Sequence, residues 1–182
     1  MATNWSVLTK DFALRHTAFR AAFMSAYLTH HQEHRTDICI FYDVQSHLGR
    51  KFGGAFNFDV FETDCVALTE AKPERPYYVL KDWNELYKAG KQIYSETNSP
   101  DLYAVVAEGE EEIVVLVTSF NGFKYNEAPP KDEKFLLDIK DFNISSAKVY
   151  VVNEDKMYEE EILENGEFVL KGNSFVLIKI KK

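Results

Sequence analysis

Within 182 residues the chain holds 29 Asp and Glu, 5 His and 2 Cys, and few of them stand at spacings that chemistry uses. His30 and His34 are four apart, which brings two imidazoles to one face of a helix, where a third ligand would complete a zinc site. His31 lies between them near the end of the same helical pattern. Imidazoles there also interact favourably with the carbonyl end of the helix dipole, and that role needs no third ligand. Asp43 and Gln45 follow directly on the apolar run Asp37-Ile-Cys-Ile-Phe-Tyr42. A carboxylate and an amide at the end of a buried strand can hold sugar hydroxyls, or cap a loop. Glu108–Glu112 reads as a solvated hairpin tip. Glu159-Glu-Glu161 has no nearby group in sequence with which to form an acid–base pair. Cys39 reads as a small buried hydrophobe, and with Cys65 it forms neither a metal-ligand spacing nor a disulfide framework. No Ser/His/Asp spacing and no phosphate-cradling glycine loop is present. The expectation is therefore no metal and no cofactor.

Composition narrows the partners. The net charge is -8, and no basic stripe alternates with aromatics, which argues against nucleic acid. No apolar run is long enough to span a bilayer, which argues against a membrane partner. The start, Met1-Ala-Thr-Asn-Trp, lacks the basic and apolar regions of a signal peptide, so the cytoplasm is the default location and the compartment stays open. The sequon Asn143-Ile-Ser145 has meaning only in a secretory setting. Aromatics make up 14% of the chain, a content that suits strands and also sugar-stacking clefts.

The elements that would position these groups fall into two halves. From Ala18 to His34 the apolar positions Phe19, Ala22, Phe23, Ala26 and Tyr27 recur at helical spacing. The run at 37–42 suits a strand buried on both faces, as parallel strands are. A long glycine-containing loop is expected from Asp43 to about Glu74. Pro76 then opens a helix from Tyr77 to about Lys88, which Gly90 ends. Beyond Gly90 short β-rich runs recur: Leu102–Ala107, Ile113–Phe120, Lys134–Ile139, Ala147–Val152, Glu167–Leu170 and Phe175–Ile180. The turns between them include Asn121-Gly122 and Asn165-Gly166, pairs that type I′ hairpins favour. In the last run Val176, Ile178 and Ile180 take one face and Phe175, Leu177 and Lys179 the other. Strands of this kind predict an antiparallel β-sandwich.

The order of several segments carries a resemblance. Thr3-Asn-Trp-Ser6, with Lys10-Asp11, Leu14 and Thr17-Ala-Phe-Arg-Ala-Ala-Phe23, resembles the seventh barrel unit of family 39 glycoside hydrolases, the β-xylosidase group. There a Thr-Glu-Trp-Asn strand end precedes a loop and an Ala-Ala-rich helix. Phe41-Tyr-Asp-Val-Gln45 resembles that group's eighth strand end, and Phe52-Gly-Gly-Ala-Phe56 its Gly-Gly-Phe-Gly segment. Pro76-Tyr-Tyr78 with Trp83-Asn-Glu-Leu86 and Gly90 is similar to its last helix. The fold class implied is α/β plus all-β. Residues 1–92 would be the last βα units of a TIM-type barrel, and 93–182 an antiparallel β-sandwich.

The resemblance also implies a site, with one departure. Trp5, Tyr42, Asp43 and Gln45 would bind carbohydrate, although Trp5 fits a packed core equally well. The family's nucleophile is the Glu of Thr-Glu-Trp, and this chain has Asn4 there. A retaining glycosidase needs two carboxyl groups about 5–5.5 Å apart. An amide has the shape of a carboxylate without its charge, and the unit bearing the acid/base Glu has no counterpart in this sequence. The expectation is a β-xylosidase-like segment, inactive by itself, that acts on carbohydrate in a larger form or with a partner chain covering the incomplete barrel. The alternative is a non-catalytic carbohydrate-binding or assembly module.

Overall fold

A computed structural model describes residues 2–5, 17–32, 38–41, 56–57, 72–121, 131–140, 142 and 144–182. Strand β1 (Ala2–Trp5) and strand β2 (Ile38–Phe41) pair in parallel, with Ala2 opposite Ile38 and Trp5 opposite Phe41. Helix α1 (Ala18–His31) lies between them in sequence, as a parallel crossover requires. The strand expected at 37–42 is thus present, and parallel. Helix α1 stops at His31, short of the predicted His34, and Gln32 caps it through a backbone bond to Thr29. Its Thr17 N-cap makes no side-chain capping bond to the helix. Instead the N–H of Ala18 donates to Glu154 Oε1 at 2.9 Å, a cap supplied from far along the chain.

Short strands β3 (Phe56–Asn57) and β4 (Lys72–Pro73) pair in antiparallel fashion. Helix α2 (Arg75–Ala89) follows, with Pro76 in its first turn, where no backbone N–H is needed. It begins two residues before the predicted Tyr77. Gly90 ends it with φ 129, a conformation that side chains rarely adopt.

Eight strands then build a single antiparallel sheet. They are β5 (Lys91–Ile93), β6 (Leu102–Glu108), β7 (Glu112–Ser119), β8 (Glu133–Leu136), β9 (Ser146–Val152), β10 (Met157–Glu164), β11 (Glu167–Leu170) and β12 (Ser174–Lys181). Their order across the sheet is β5-β6-β7-β12-β9-β10-β11-β8. The sheet curls into a half-barrel. Its inner face holds one core, in which Val106, Val115, Ile178 and Val149 lie in register across four neighbouring strands, with Leu163 and Leu170 closing the far side. The outer face of the central strands forms a second core with the helices: Val105, Val114, Leu116, Leu177 and Phe175 meet Ala21 and Met24 of α1 and Val79 and Leu86 of α2. This explains why β7 and β12 read as nearly unbroken apolar runs, since strands buried on both faces show no polar alternation.

The expected two faces of β12 are both buried, Val176, Ile178 and Ile180 inward and Phe175 and Leu177 outward. Asn165 and Gly166 form the β10–β11 turn with φ 51 and 75, the signs a type I′ turn requires. Strand β10 has no counterpart among the predicted strands. Its acidic residues are divided between the two faces: Glu160 lies opposite Tyr150 on the outer face and pairs with Lys148 at 2.8 Å, while Glu161 lies opposite Val149 on the inner-face side and pairs with Lys156. The run around Glu108–Glu112 is the exposed β6–β7 tip, as expected.

Candidate functional site

Three places in the described molecule bring chemically useful groups together. The first is the C-terminal end of the parallel pair. Asn4 and Trp5 are the last two residues of β1, with Ile40 and Phe41 beside them on β2. In parallel sheets crossed by helices, ligands collect at this end of the strands. The register therefore sets Trp5 level with the point from which the chain runs on to Tyr42, Asp43 and Gln45. Those three residues lie outside the described residues, as do His34, Cys65, Gly53 and Asn143. Among the described residues no group of three His, Cys, Asp or Glu could hold a metal, and His30 and His31 instead form ring contacts at the end of α1. No helix among them is long and apolar enough to cross a membrane.

The second place is a cleft of about 570 Å³ between the end of α1 and the β5–β6 edge. Thr29, His30 and Gln32 line one side, and Tyr94, Glu96 and Tyr103 are among the residues on the other. Tyr94 is 83% exposed, and its hydroxyl donates to Glu96 at 2.8 Å, which fixes an open aromatic face at the rim. Nothing in the sequence marks this cleft, because its lining is assembled from the end of α1, β5, the 94–97 loop and β6, none of which carries a motif.

The third place is the seam between α2 and the sheet. Asp82 is 0% exposed and accepts a hydrogen bond from Tyr158 Oη at 2.9 Å. Burial, the largest influence, pushes its carboxyl well above the usual range, against the opposing pull of the Tyr158 hydrogen bond and of Lys81. Tyr158 is the extra residue of a β-bulge, where the β10–β9 register shifts between Met157 and Glu159, and its φ is 64. A left-handed backbone at a bulky residue is strained and persists only where its surroundings hold it. The surroundings here are specific. The Tyr158 ring stacks on Tyr78 (centroids 4.6 Å apart, planes 12° apart) and on Tyr150 (5.1 Å, 15°). Lys81 Nζ lies 3.9 Å from the ring centroid. Burial first, and then the Asp82 carboxyl, push the phenol upward, so it stays a donor. Beside this group Lys179 of β12 pairs with Glu85 of α2, whose carboxyl it holds below the usual range.

No protein-family model matches the sequence, and no curated protein matches it. Solved structures do resemble the fold. A conserved exported protein from Bacteroides fragilis superposes with a TM-score of 0.65 at 12% identity, over 98% of this chain and 38% of that one. A family 30 glycoside hydrolase, an endoxylanase from Clostridium papyrosolvens, gives 0.61 at 12%, over 99% of this chain and 41% of that one. A β-porphyranase of glycoside hydrolase family 86 from the gut bacterium Bacteroides plebeius gives 0.57 at 12%, over 90% and 30%. The chain thus has a glycoside-hydrolase-like fold and spans well under half the length of these proteins. The likeness is to that fold, and not to family 39 in particular.

Proposed function

We propose that this chain is the C-terminal portion of a retaining, β-xylosidase-like glycoside hydrolase. In this reading residues 1–92 are the last βα units of a barrel and residues 93–182 its accompanying β-sandwich. The observation that carries the proposal is the parallel β1–β2 register, which lines up Asn4 and Trp5 with the end of β2 in a chain of glycoside-hydrolase-like fold. Trp5 stacks on a sugar ring, Tyr42 adds an aromatic wall, and Asp43 and Gln45 hold hydroxyls. Asn4 fills the nucleophile position with a group that cannot attack an anomeric carbon. The chain by itself is therefore inactive, and acts on carbohydrate only within a larger form or an assembly that supplies the catalytic carboxyl groups together with further strands beside β1 and β2.

Two measurements test this. The purified chain should release no aryl alcohol from aryl β-xylosides, and turnover that co-purifies with it would overturn the claim of inactivity. Calorimetry with xylo-oligosaccharides should show weak binding that Trp5→Ala abolishes, and an absence of heat from the unaltered chain would remove the sugar site. Light scattering reports on assembly: a well-behaved monomer would exclude a partner copy completing the barrel.

The cleft beside Tyr94 favours a second reading, a non-catalytic carbohydrate-binding module. An open aromatic face flanked by hydroxyl, amide and carboxylate groups suits a sugar ring. Binding that survives Trp5→Ala and is lost in Tyr94→Ala would move the function there.

A further inference from the structure

The seam under α2 holds a carboxyl group in surroundings that suit its neutral form. Asp82 is sealed from water, and it accepts one hydrogen bond, from Tyr158 on the β10 bulge. Its second oxygen, Oδ2, meets no donor, and neither does the buried Nε1–H of the adjacent Trp83 meet an acceptor. A carboxylate has lone pairs for about four donors, so an ionised Asp82 would be left largely unsolvated.

The charged groups of the neighbouring elements are turned to other tasks. On α2 itself Lys81 lies over the Tyr158 ring, while Glu85 pairs with Lys88 at 3.2 Å and with Lys179 of β12. Lys179 also stands 4.0 Å from Glu112 of β7. Tyr150 of β9 and Tyr78 of α2 flank the seam as the outer leaves of the aromatic stack. Helix α1 brings the buried Arg20. Among the described residues no cation donates to either Asp82 oxygen.

We propose that Asp82 is a proton-operated latch: only as the neutral acid does it tolerate burial under α2 with Oδ2 unsolvated, and its ionisation releases the helix. The raised carboxyl of Asp82 sets the direction. In the docked state the proton is held, whereas in an undocked or unfolded chain it leaves near the ordinary value of about 4. Docking is thus strongest below that value and weakens as pH rises from it toward the docked-state value. Within that window one proton separates the two states, so the docked-to-undocked ratio falls about tenfold per pH unit. Surface pairs such as Glu85–Lys179 have the opposite sign, since a carboxyl lowered on folding favours the native state as pH rises. The latch is independent of the proposed sugar chemistry and acts on the helix–sheet joint alone.

Two experiments on the whole chain test it. Carbon-13 NMR of the unaltered protein should show the Asp82 carboxyl ionising at higher pH than the exposed aspartates of the same chain. Titration of that carbon near pH 4 would overturn the latch. In the second, the apparent opening of α2 amides, corrected for intrinsic exchange, should rise about tenfold per pH unit within the window, while the inner-face strands stay protected. Asp82→Asn should flatten that dependence, and an unchanged slope in this variant would also overturn the proposal. Should Asp82→Asn fail to fold, the NMR titration decides by itself.

Discussion

The two faces of the same sheet are filled by different means. The inner face is lined by aliphatic side chains from β6, β7, β9 and β12 with contributions from β8, β10 and β11, and the strands bury it against one another as the sheet curls. The outer face is buried by helices from elsewhere in the chain, and polar groups are set among its apolar contacts. Ser25 of α1 meets Thr118 of β7 at 2.6 Å, Tyr158 meets Asp82, and Lys179 meets Glu85. Arg75 at the start of α2 donates to the carbonyls of Asn153 and Glu154 at 2.8 Å. The contrast teaches what each kind of contact can specify. Apolar contact is nondirectional and suffices where chain connectivity already fixes the partner. A separate helix can slide or rotate on an apolar surface, and directional bonds with a desolvation penalty for mispairing select one docking position.

Adjacent residues of β12 offer the sharpest way to separate the faces. Ile178→Ala empties the inner core and Leu177→Ala the outer one, and both side chains are 0% exposed. Each should cost about 2–5 kcal/mol in chemical denaturation. They should differ in hydrogen exchange: Leu177→Ala should deprotect α1 and α2 ahead of the sheet, and Ile178→Ala should weaken the sheet as a whole. Identical exchange patterns would erase the distinction between the faces.

The joint between α2 and the β6–β7 tip is the next test. A Cβ added to Gly109 would lie 2.4 Å from the carbonyl oxygen of Ala89, a backbone atom that cannot turn aside. Gly109→Ala should therefore cost about 1–3 kcal/mol, and thermal denaturation would show it as a lowered midpoint. Ser25→Ala follows, at about 1–2 kcal/mol, because it strands the buried hydroxyl of Thr118. Adding Thr118→Val should recover part of that loss, which a double-mutant cycle would report. Glu154→Ala has the smallest expected effect, about 0.5–1 kcal/mol, through the lost cap on Ala18. It should appear as faster exchange confined to the first turn of α1.

What the sequence revealed follows the same division. Strands β6, β7, β9 and β12 were legible because their apolar runs are long, and α2 because Pro76 and Gly90 mark its ends. The β10–β11 hairpin turn was legible from Asn165-Gly166, yet β10 itself was not. Met157–Glu164 carries exposed glutamates on both faces, so its composition hides its pairing. The latch was equally hidden. A mid-helix aspartate reads as a solvent-facing residue, and its partner Tyr158 is 76 positions away. Nor did the pattern show that the helices and the strands share a core, because an apolar stripe does not name what it packs against. The strand ends carrying Asn4 and Trp5 were legible from resemblance and order alone, and the parallel register gives them a common location.

The place of β12 has a consequence for how the chain reaches this state. It is the last of the eight strands in sequence, yet it sits between β7 and β9 in the sheet. Until it is made, β5-β6-β7 and β9-β10-β11-β8 are two separate ribbons, each with a raw edge of unpaired backbone groups. Assembly on the ribosome must wait for Ser174–Lys181 to emerge, and a nascent chain lacking it exposes both edges to any passing strand. Losing these eight residues would leave two ribbons with nothing to join them, instead of a trimmed version of the same sheet.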